Sequence, residues 1–359
     1  MYDLPEMGKY KGVLEMDKDI ITNFENLYRA YRKAKLGKSH NGSCARFQNM
    51  SLEGIHLLKE QLENQTYQIG KYSQFKIYEP KERLIMSCSF KDKVVQHCLC
   101  DNILHPYLQN VFIDTNSAGQ VGKGTLYGMD KLKEQMLLFY NEHGIDGWIL
   151  KCDITKFFYS INHEVLKDIA DYYFPDSYTT WLNHLFIDST VGLGLPLGNQ
   201  VAQVYALLIL DCVDHMITGE LGVKYYGRYM DDFYLIHYDK SYLKECLFYI
   251  EEMVSSLGLS LNGKTQICQF KNGLRYLGFH HYMTKDGKYI RRLTSENKRR
   301  VKKKVRSMLR LLKEGKITEK EFKQKYGAWK NHASHGNTVK LIHSMDLHIK
   351  SEIEKGKVI

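Results

Sequence analysis

Residues 223–238 read VKYYGRYMDDFYLIHY, in which two apolar arms, Val223–Arg228 and Tyr234–Ile236, flank Tyr229-Met230-Asp231-Asp232-Phe233. Alternation about a central turn predicts a β-hairpin over Lys224–Tyr238. Two adjacent carboxylates at its tip repel one another and contribute nothing to a core. They become favourable when a divalent cation lies between them. A lone Asp-Asp hairpin is more often an ordinary acidic turn, so its meaning rests on the rest of the chain.

Upstream, Trp148-Ile149-Leu150-Lys151-Cys152-Asp153 predicts a short apolar strand that also ends on a carboxylate, 78 residues before Asp231. If this strand and the hairpin share a sheet, the carboxylates gather at one edge. That arrangement suits two Mg²⁺ ions about 3.5–4 Å apart, which clamp the attacking and leaving oxygens of a phosphoryl transfer. Further out, residues 20–70 read as helical, and the pattern turns to strand over Phe75–Ile85. Val94–His105 reads as a helix stopped by Pro106. Gly122-Lys123-Gly124-Thr125 opens a helix to about Tyr140, and a helical middle runs to about Phe186. A helix spans about Asn199–Ile217 and another Tyr242–Leu257. Leu274–Tyr289 predicts a second hairpin turning at Asp286-Gly287, and the chain after Arg291 reads as helical. Strands and helices interleave without regular βαβ spacing, which predicts an α+β fold.

The 359 residues carry 51 Lys and Arg against 41 Asp and Glu, a net charge of +10. Nearly all of that surplus lies between Arg291 and Gly315, where eleven basic residues face two Glu. Val301, Val305, Met308, Leu309 and Leu312 recur there at spacings of three and four, an amphipathic pattern that packs one face and leaves the cations wet. Such a face is either solvated surface or a track for phosphates, and charge alone does not choose. A smaller basic patch comprises Arg29, Arg32, Lys33, Lys35 and Lys38. Five Pro and 27 Gly exclude collagenous and Pro-rich classes. The charged opening lacks the apolar core of a signal peptide. The longest apolar stretch, Val201–Leu210, falls short of the ~20 residues that span a bilayer. A cytoplasmic protein without a membrane partner is expected. Eight scattered cysteines, with no CxxC pair, read as core thiols in a reducing compartment, including those of His97-Cys98-Leu99-Cys100.

Tyr229-Met230-Asp231-Asp232 resembles the YxDD signature of reverse transcriptases, and further blocks occur in that family's order over roughly residues 75–285. Lys81-Glu82-Arg83-Leu84-Ile85 with Phe90–Gln96 resembles the basic fingers block of bacterial members. Lys151–His163 resembles the block carrying the first metal-binding Asp, and Gly194-Leu195-Pro196-Leu197-Gly198 the Gly-Leu-Pro-x-Gly turn. Leu257–Thr265 resembles the next palm block, and Tyr276-Leu277-Gly278-Phe279 the primer grip.

The resemblance implies a right-hand polymerase, with an N-terminal extension and fingers over 1–145. The palm would span 146–285, with a helical insertion at about 160–200, and a helical thumb 286–359. It implies RNA-directed DNA synthesis with two Mg²⁺ ions, for which Mn²⁺ can substitute. Asp153, Asp231 and Asp232 would be catalytic and bind metal, with the Ile154 carbonyl as a further ligand. Lys81, Arg83, Phe158, Leu197, Gly198 and Lys264 would contact the incoming dNTP. Arg83 would grip phosphate, Phe158 would exclude a ribose 2′-OH, and Lys264 would stand near the leaving pyrophosphate. Gly194 and Gly198 would let backbone approach the templating pair. Gln203, Tyr229, Met230, Leu277, Gly278, Lys302, Lys303 and Lys304 would contact the template–primer. Tyr326 and Trp329 read as thumb core. Leu197-Gly198-Asn199-Gln200-Val201-Ala202-Gln203 is similar to the turn of diversity-generating retroelement enzymes, with Ala202 in place of their Ser, and defence-associated bacterial enzymes vary it similarly. Expected partners are an RNA template, a DNA or RNA primer, a cognate structured noncoding RNA and an accessory protein. Two other readings stay open: a maturase-like RNA-binding factor, and an antiviral effector that synthesises DNA without a template.

Overall fold

The computed structural model describes residues 17–38, 42–78 and 82–356. Lys81, expected at the dNTP, lies outside them. The chain groups into two compact units that interleave along the sequence. The first comprises Met1–Gly124, Cys152–Phe233 and Glu245–Thr265; the second comprises Thr125–Lys151, Tyr234–Lys244 and Gln266–Ile359.

Four helices open the described chain: α1 (Asp17–Thr22), α2 (Phe24–Lys35), α3 (Gly42–Asn49) and α4 (Ser51–Glu63). Strands β1 (Ser73–Ile77) and β2 (Arg83–Ser87) pair antiparallel, with Phe75 opposite Ile85. Helix α5 (Phe90–Leu99) starts at a reciprocal cap in which Ser89 and Asp92 satisfy each other's backbone N–H. Asp92 is fully buried and also accepts from Tyr67 Oη (2.7 Å) and Gly70 N (3.1 Å), which ties the lead into β1 to α5.

Pro106 does not stop this helix. A π-helical turn, Cys100–Leu104, widens the spiral, with His105 N donating to Cys100 O, and α6 (His105–Leu108) follows with Pro106 in its first turn. The widened turn stands directly before Pro106, and the spiral continues past it.

The chain continues through α7 (Thr125–His143), β3 (Trp148–Cys152), α8 (Phe157–Ser160), α9 (His163–Tyr173), α10 (Ser177–Ile187), α11 (Gln200–Leu208) and α12 (Asp211–His215). Beyond them lie β4 (Tyr225–Tyr229), β5 (Asp232–His237), α13 (Lys240–Ser256) and β6 (Gln266–Gln269). Strands β4, β5, β3 and β6 form a four-stranded sheet in that order. The helical run Gln200–Glu220 is long and apolar enough to cross a membrane, contrary to the expectation from Val201–Leu210 alone. Its most apolar window is 83% buried inside the chain, as in a core helix.

The expected second hairpin is instead three strands, β7 (Leu274–Tyr276), β8 (Phe279–Met283) and β9 (Tyr289–Leu293). Besides the turn near Asp286-Gly287, a tight turn at Leu277-Gly278 joins β7 to β8. Arg291 and Arg292 consequently sit on β9, not on the basic helix. Arg291 pairs with Asp130 (3.1 Å), and the Arg292 guanidinium lies 5.6 Å from the centre of the Tyr282 ring. Helices α14 (Ser295–Lys313), α15 (Glu319–Ser334) and α16 (Val339–Gly356) follow. Val301, Val305, Met308 and Leu309 of α14 are buried against Phe322, Tyr326, Met345 and Ile349, with Leu312 and Trp329 packed on that cluster. The interleaving of helices with three separate sheets among the described residues is the α+β architecture that the sequence predicts.

Candidate active site

Asp153 follows the last residue of β3, and Asp231 precedes the first residue of β5, the neighbouring strand. Strand order therefore brings together two side chains 78 positions apart. Their carboxyl groups share a hydrogen bond. Burial raises the Asp231 pKa, and the Asp153 charge raises it further, while the Arg83 cation opposes both.

Antiparallel pairing with residues 260–262 fixes Asp153: Asn262 N donates to Asp153 O (2.7 Å) and Thr155 N to Ser260 O (2.9 Å). These bonds flank the bridge Ile154↔Leu261, so Ile154's own N–H and C=O face away from that segment. Asn262 also anchors the next turn. Its Oδ1 accepts from Lys264 N (3.1 Å) and its carbonyl from Thr265 N (2.8 Å), leaving Lys264 exposed two residues from the Asp153 contact.

Arg83, Phe158, Leu197 and Gly198, expected at the dNTP, are linked to one another through hydrogen bonds made by these residues and their neighbours. Leu84, next to the exposed Arg83, donates its N–H to Tyr159 Oη (3.3 Å). Phe157 is core, whereas Phe158 is half-buried and its carbonyl accepts Leu195 N (2.7 Å). Met86 N donates to Leu197 O (2.9 Å), seating the Leu197-Gly198 turn on β2.

Two glycines of this turn are packed tightly against the protein itself. A Cβ on Gly194 would lie 2.8 Å from Phe158 O and from Tyr159 Cα, and one on Gly198 would lie 3.2–3.3 Å from Ile85 and Met86. The close approach at both is to the chain's own backbone and side chains. Their φ values of +90° and +117° exclude most other residues in any case.

Asp232 opens β5, where successive side chains alternate between faces. Its charge is felt at buried Cys152, whose thiol is raised by burial first and by Asp232 next. Among the described residues, no three His, Cys, Asp or Glu side chains are preassembled as a metal cage. The Asp153–Asp231 pair nonetheless fits a divalent cation. Two carboxylates sharing a hydrogen bond, one held high by burial and by the other's charge, are relieved when a dication takes the proton's place.

Gln203 is the exposed residue of an otherwise buried stretch of α11, and Tyr229 and Met230 are half-buried in the β4–β5 turn. Leu277, Gly278 and Lys302–Lys304 belong to the second unit. There Gly278 O accepts from Asn297 Nδ2 (2.8 Å) and Thr294 N (3.3 Å), so the turn is docked on the first turn of α14, and the three lysines are exposed along that helix.

One residue of the site was not anticipated. Arg228, in the strand leading to Tyr229, is fully buried, and its Nη1 donates to Met230 O (3.1 Å). Its Nε donates to Asp214 Oδ1 (2.7 Å) and its Nη2 to Asp214 Oδ2. Burial works against the guanidinium charge, but Asp214 outweighs it and holds the Arg228 pKa above its ordinary value. An Arg inside a strand of otherwise apolar and aromatic residues was the available signal, because such a charge must find a buried partner.

A protein-family model described as "Reverse transcriptase (RNA-dependent DNA polymerase)" matches residues 71–281, more than half of the chain. Among solved structures, the chain is similar to telomerase from Candida albicans, described in complex with the TWJ fragment of telomeric RNA. The identity is 13% and the TM-score 0.47, over 64% of this chain and 46% of that one. The chain thus spans less than half the length of that relative. No curated protein matches.

Proposed function

Since the chain belongs to the reverse transcriptase family, we propose that it copies RNA into DNA by nucleotidyl transfer at the Asp153–Asp231 edge. The observation that carries this reading is the convergence of these two carboxylates, with the Arg83 cation within electrostatic reach. Divalent metal bound there, Mg²⁺ by preference, would supply Lewis-acid stabilisation of the attacking and leaving oxygens. Asp153 and Asp231 would hold it, the Ile154 carbonyl would add an oxygen, and Asp232 would contribute negative charge from the adjoining strand. Arg83 would orient the triphosphate through its planar fork, with Lys81 beside it. The half-buried Phe158 ring would reject a ribose 2′-OH, and Leu197 and Gly198 would border the same nucleotide. Lys264, on the turn hung from Asp153, would protonate pyrophosphate as it leaves. Gln203, Tyr229, Met230, Leu277, Gly278 and Lys302–Lys304 would contact the template–primer.

The decisive test is Asp231→Ala. Incorporation on a primed RNA template falls below detection while the thermal melt stays near that of the parent chain; retained synthesis refutes the metal assignment. Phe158→Ala should raise ribonucleotide incorporation. Replacing Lys302, Lys303 and Lys304 together should reduce the salt slope of RNA–DNA duplex binding by about 0.9 for each phosphate that the chain then leaves unneutralised.

For the biological setting we propose a bacterial retroelement or antiphage role with a cognate noncoding RNA. Support comes from the Leu197-Gly198-Asn199 turn. Asn199 is buried and donates to Tyr72 Oη (2.8 Å), which in turn donates to Ser189 Oγ (3.0 Å). The turn is thereby clamped, with the aliphatic Leu197 where an amide would give the nucleotide hydrogen bonds. Low fidelity at template adenines should follow; cDNA from a defined template with uniformly rare errors there refutes it.

A further inference from the structure

We propose that Arg228 is a positioning residue, a buried guanidinium that sets the peptide between Met230 and Asp231 and thereby the distance of Asp231 from Asp153. The inference rests on reading those two aspartates as the metal-binding pair.

Arg228 is held from several directions, by contacts from three segments of the first unit. Two of its nitrogens reach Asp214 of α12, and Nη2 also donates to Leu207 O (3.3 Å) at the end of α11. Its backbone N donates to Thr115 O (3.1 Å), and its carbonyl accepts from both Ser117 N and Ser117 Oγ (2.9 Å each). A group fixed this firmly is a rigid reference point. The remaining donor, Nη1, is spent on Met230 O.

Met230 needs such a hold. Its φ is +56°, in the left-handed region that residues with a Cβ enter only under constraint, and no glycine stands in the turn. The carbonyl that Arg228 grips belongs to the same peptide plane as Asp231 N. If the plane tips, the Asp231 carboxylate swings relative to Asp153, whose own backbone is independently pinned by Asn262.

Fold stability alone does not call for this arrangement, because a buried ion pair can often be replaced by apolar groups without loss. A planar fork that serves a carboxylate and two carbonyls in different directions does call for arginine. A lysine ammonium in the same space can stay with Asp214 or reach Met230 O, but cannot present the fixed fork.

The test is a double-mutant cycle on the full chain, Arg228→Lys with Met230→Gly. It reads Mn²⁺ affinity by EPR without nucleic acid, then kcat and KM for dNTP on a primed RNA, with thermal melts alongside. Arg228→Lys should weaken Mn²⁺ binding about tenfold and lower kcat on the order of a hundredfold, as for a misplacement near 1 Å, with KM little changed. In the Met230→Gly background both losses should shrink, because glycine adopts the positive φ without help. Equal losses in the two backgrounds, or a parental Mn²⁺ affinity in a folded Arg228→Lys, overturn the inference.

Should Arg228→Lys fail to fold in both backgrounds, Ser117→Ala takes its place. It removes one of two hydrogen bonds to Arg228 O and should weaken Mn²⁺ binding about threefold; unchanged affinity counts against the proposal. Synthesis retained in Asp231→Ala would instead sink the metal reading itself, so the two failures are distinguishable.

Discussion

The turns Tyr229-Met230-Asp231-Asp232 and Tyr276-Leu277-Gly278-Phe279 start from the same local geometry. Each joins two strands through two residues, and each places a non-glycine residue at positive φ, +56° for Met230 and +49° for Leu277. They differ in what comes next. In the second turn Gly278 follows at φ +86°, giving the doubly left-handed turn that matches strand twist. Its carbonyl is held by a neutral amide, Asn297 Nδ2, and by a backbone N–H. In the first turn the next residue is an aspartate, raised in pKa by burial and by Asp153, and the grip comes from a buried cation. Where only shape is required, glycine and an amide suffice. Where the turn must present charge, the protein accepts strain and two buried ionic groups.

The contrast breaks most sharply with Asp231→Asn. Synthesis should fall on the order of a thousandfold or more, yet the variant should melt higher than the parent at neutral pH. The folded pKa of Asp231 lies above its unfolded value, so the ionised form is penalised in the native state once pH exceeds that folded pKa. The stabilisation by Asn should fade as pH falls through it and the parental carboxyl becomes neutral. A lower melt at pH 8 would mean that the turn's charge contributes to the fold.

The strands beside the second turn should show the opposite pH response. His281 of β8 is fully buried, donates from Nε2 to Tyr276 O (3.1 Å), and accepts at Nδ1 from Tyr289 Oη (2.6 Å). Burial lowers its pKa to about 3. Its folded value lies below the unfolded 6.5, so its stability contribution is intact above pH 6.5. Below that the unfolded chain takes up a proton that the native chain refuses, and about 1.4 kcal/mol is lost per pH unit. His281→Gln should flatten the fall in urea midpoint between pH 6.5 and 4.5. Gly278→Ala is expected to destabilise by about 1–2 kcal/mol, since a Cβ there meets Asn297 Nδ2 at 2.8 Å and φ is left-handed. Urea titration of the variant, with parental Mn²⁺ affinity as the control, separates this from damage at Asp231.

The two turns also differ in how legible they were. Asp153 and Asp231 could be read because each ends or begins an apolar strand, a place where a carboxylate has no structural use. Arg228 could not, because its partner Asp214 lies in a helix and only folding shows that the two meet. The signal was present in Asp211-Cys212-Val213-Asp214, two carboxylates inside an apolar run that must be answered by something buried. In the sequence Leu277-Gly278 reads as part of a family block and not as turn chemistry, which predicts one hairpin where three strands form. What surrounds Gly194 and Gly198 was not legible either. The space is filled by Phe158, Tyr159, Ile85 and Met86, contacts between segments far apart in sequence that no local pattern encodes.

The smallest expected effect probes the neutral grip itself. Thr294 caps α14 by accepting Asn297 N at its side chain (3.4 Å), and Asn297 in turn donates to Gly278 O. Thr294→Ala removes the cap but leaves Thr294's backbone donor to Gly278 O in place. The loss should be about 1 kcal/mol of stability, the usual cost of an N-cap. Two bonds converge on Gly278 O and one is a backbone N–H, so the turn should keep its conformation and duplex binding should stay within about twofold, less than 0.5 kcal/mol. At the first turn a single guanidinium nitrogen holds Met230 O against an unfavourable φ, with no glycine to share the load. Should Thr294→Ala weaken duplex binding as strongly as replacement of Lys302–Lys304, the second turn would be as dependent on its support as the first, and the distinction between a turn held for shape and one held for charge would fail.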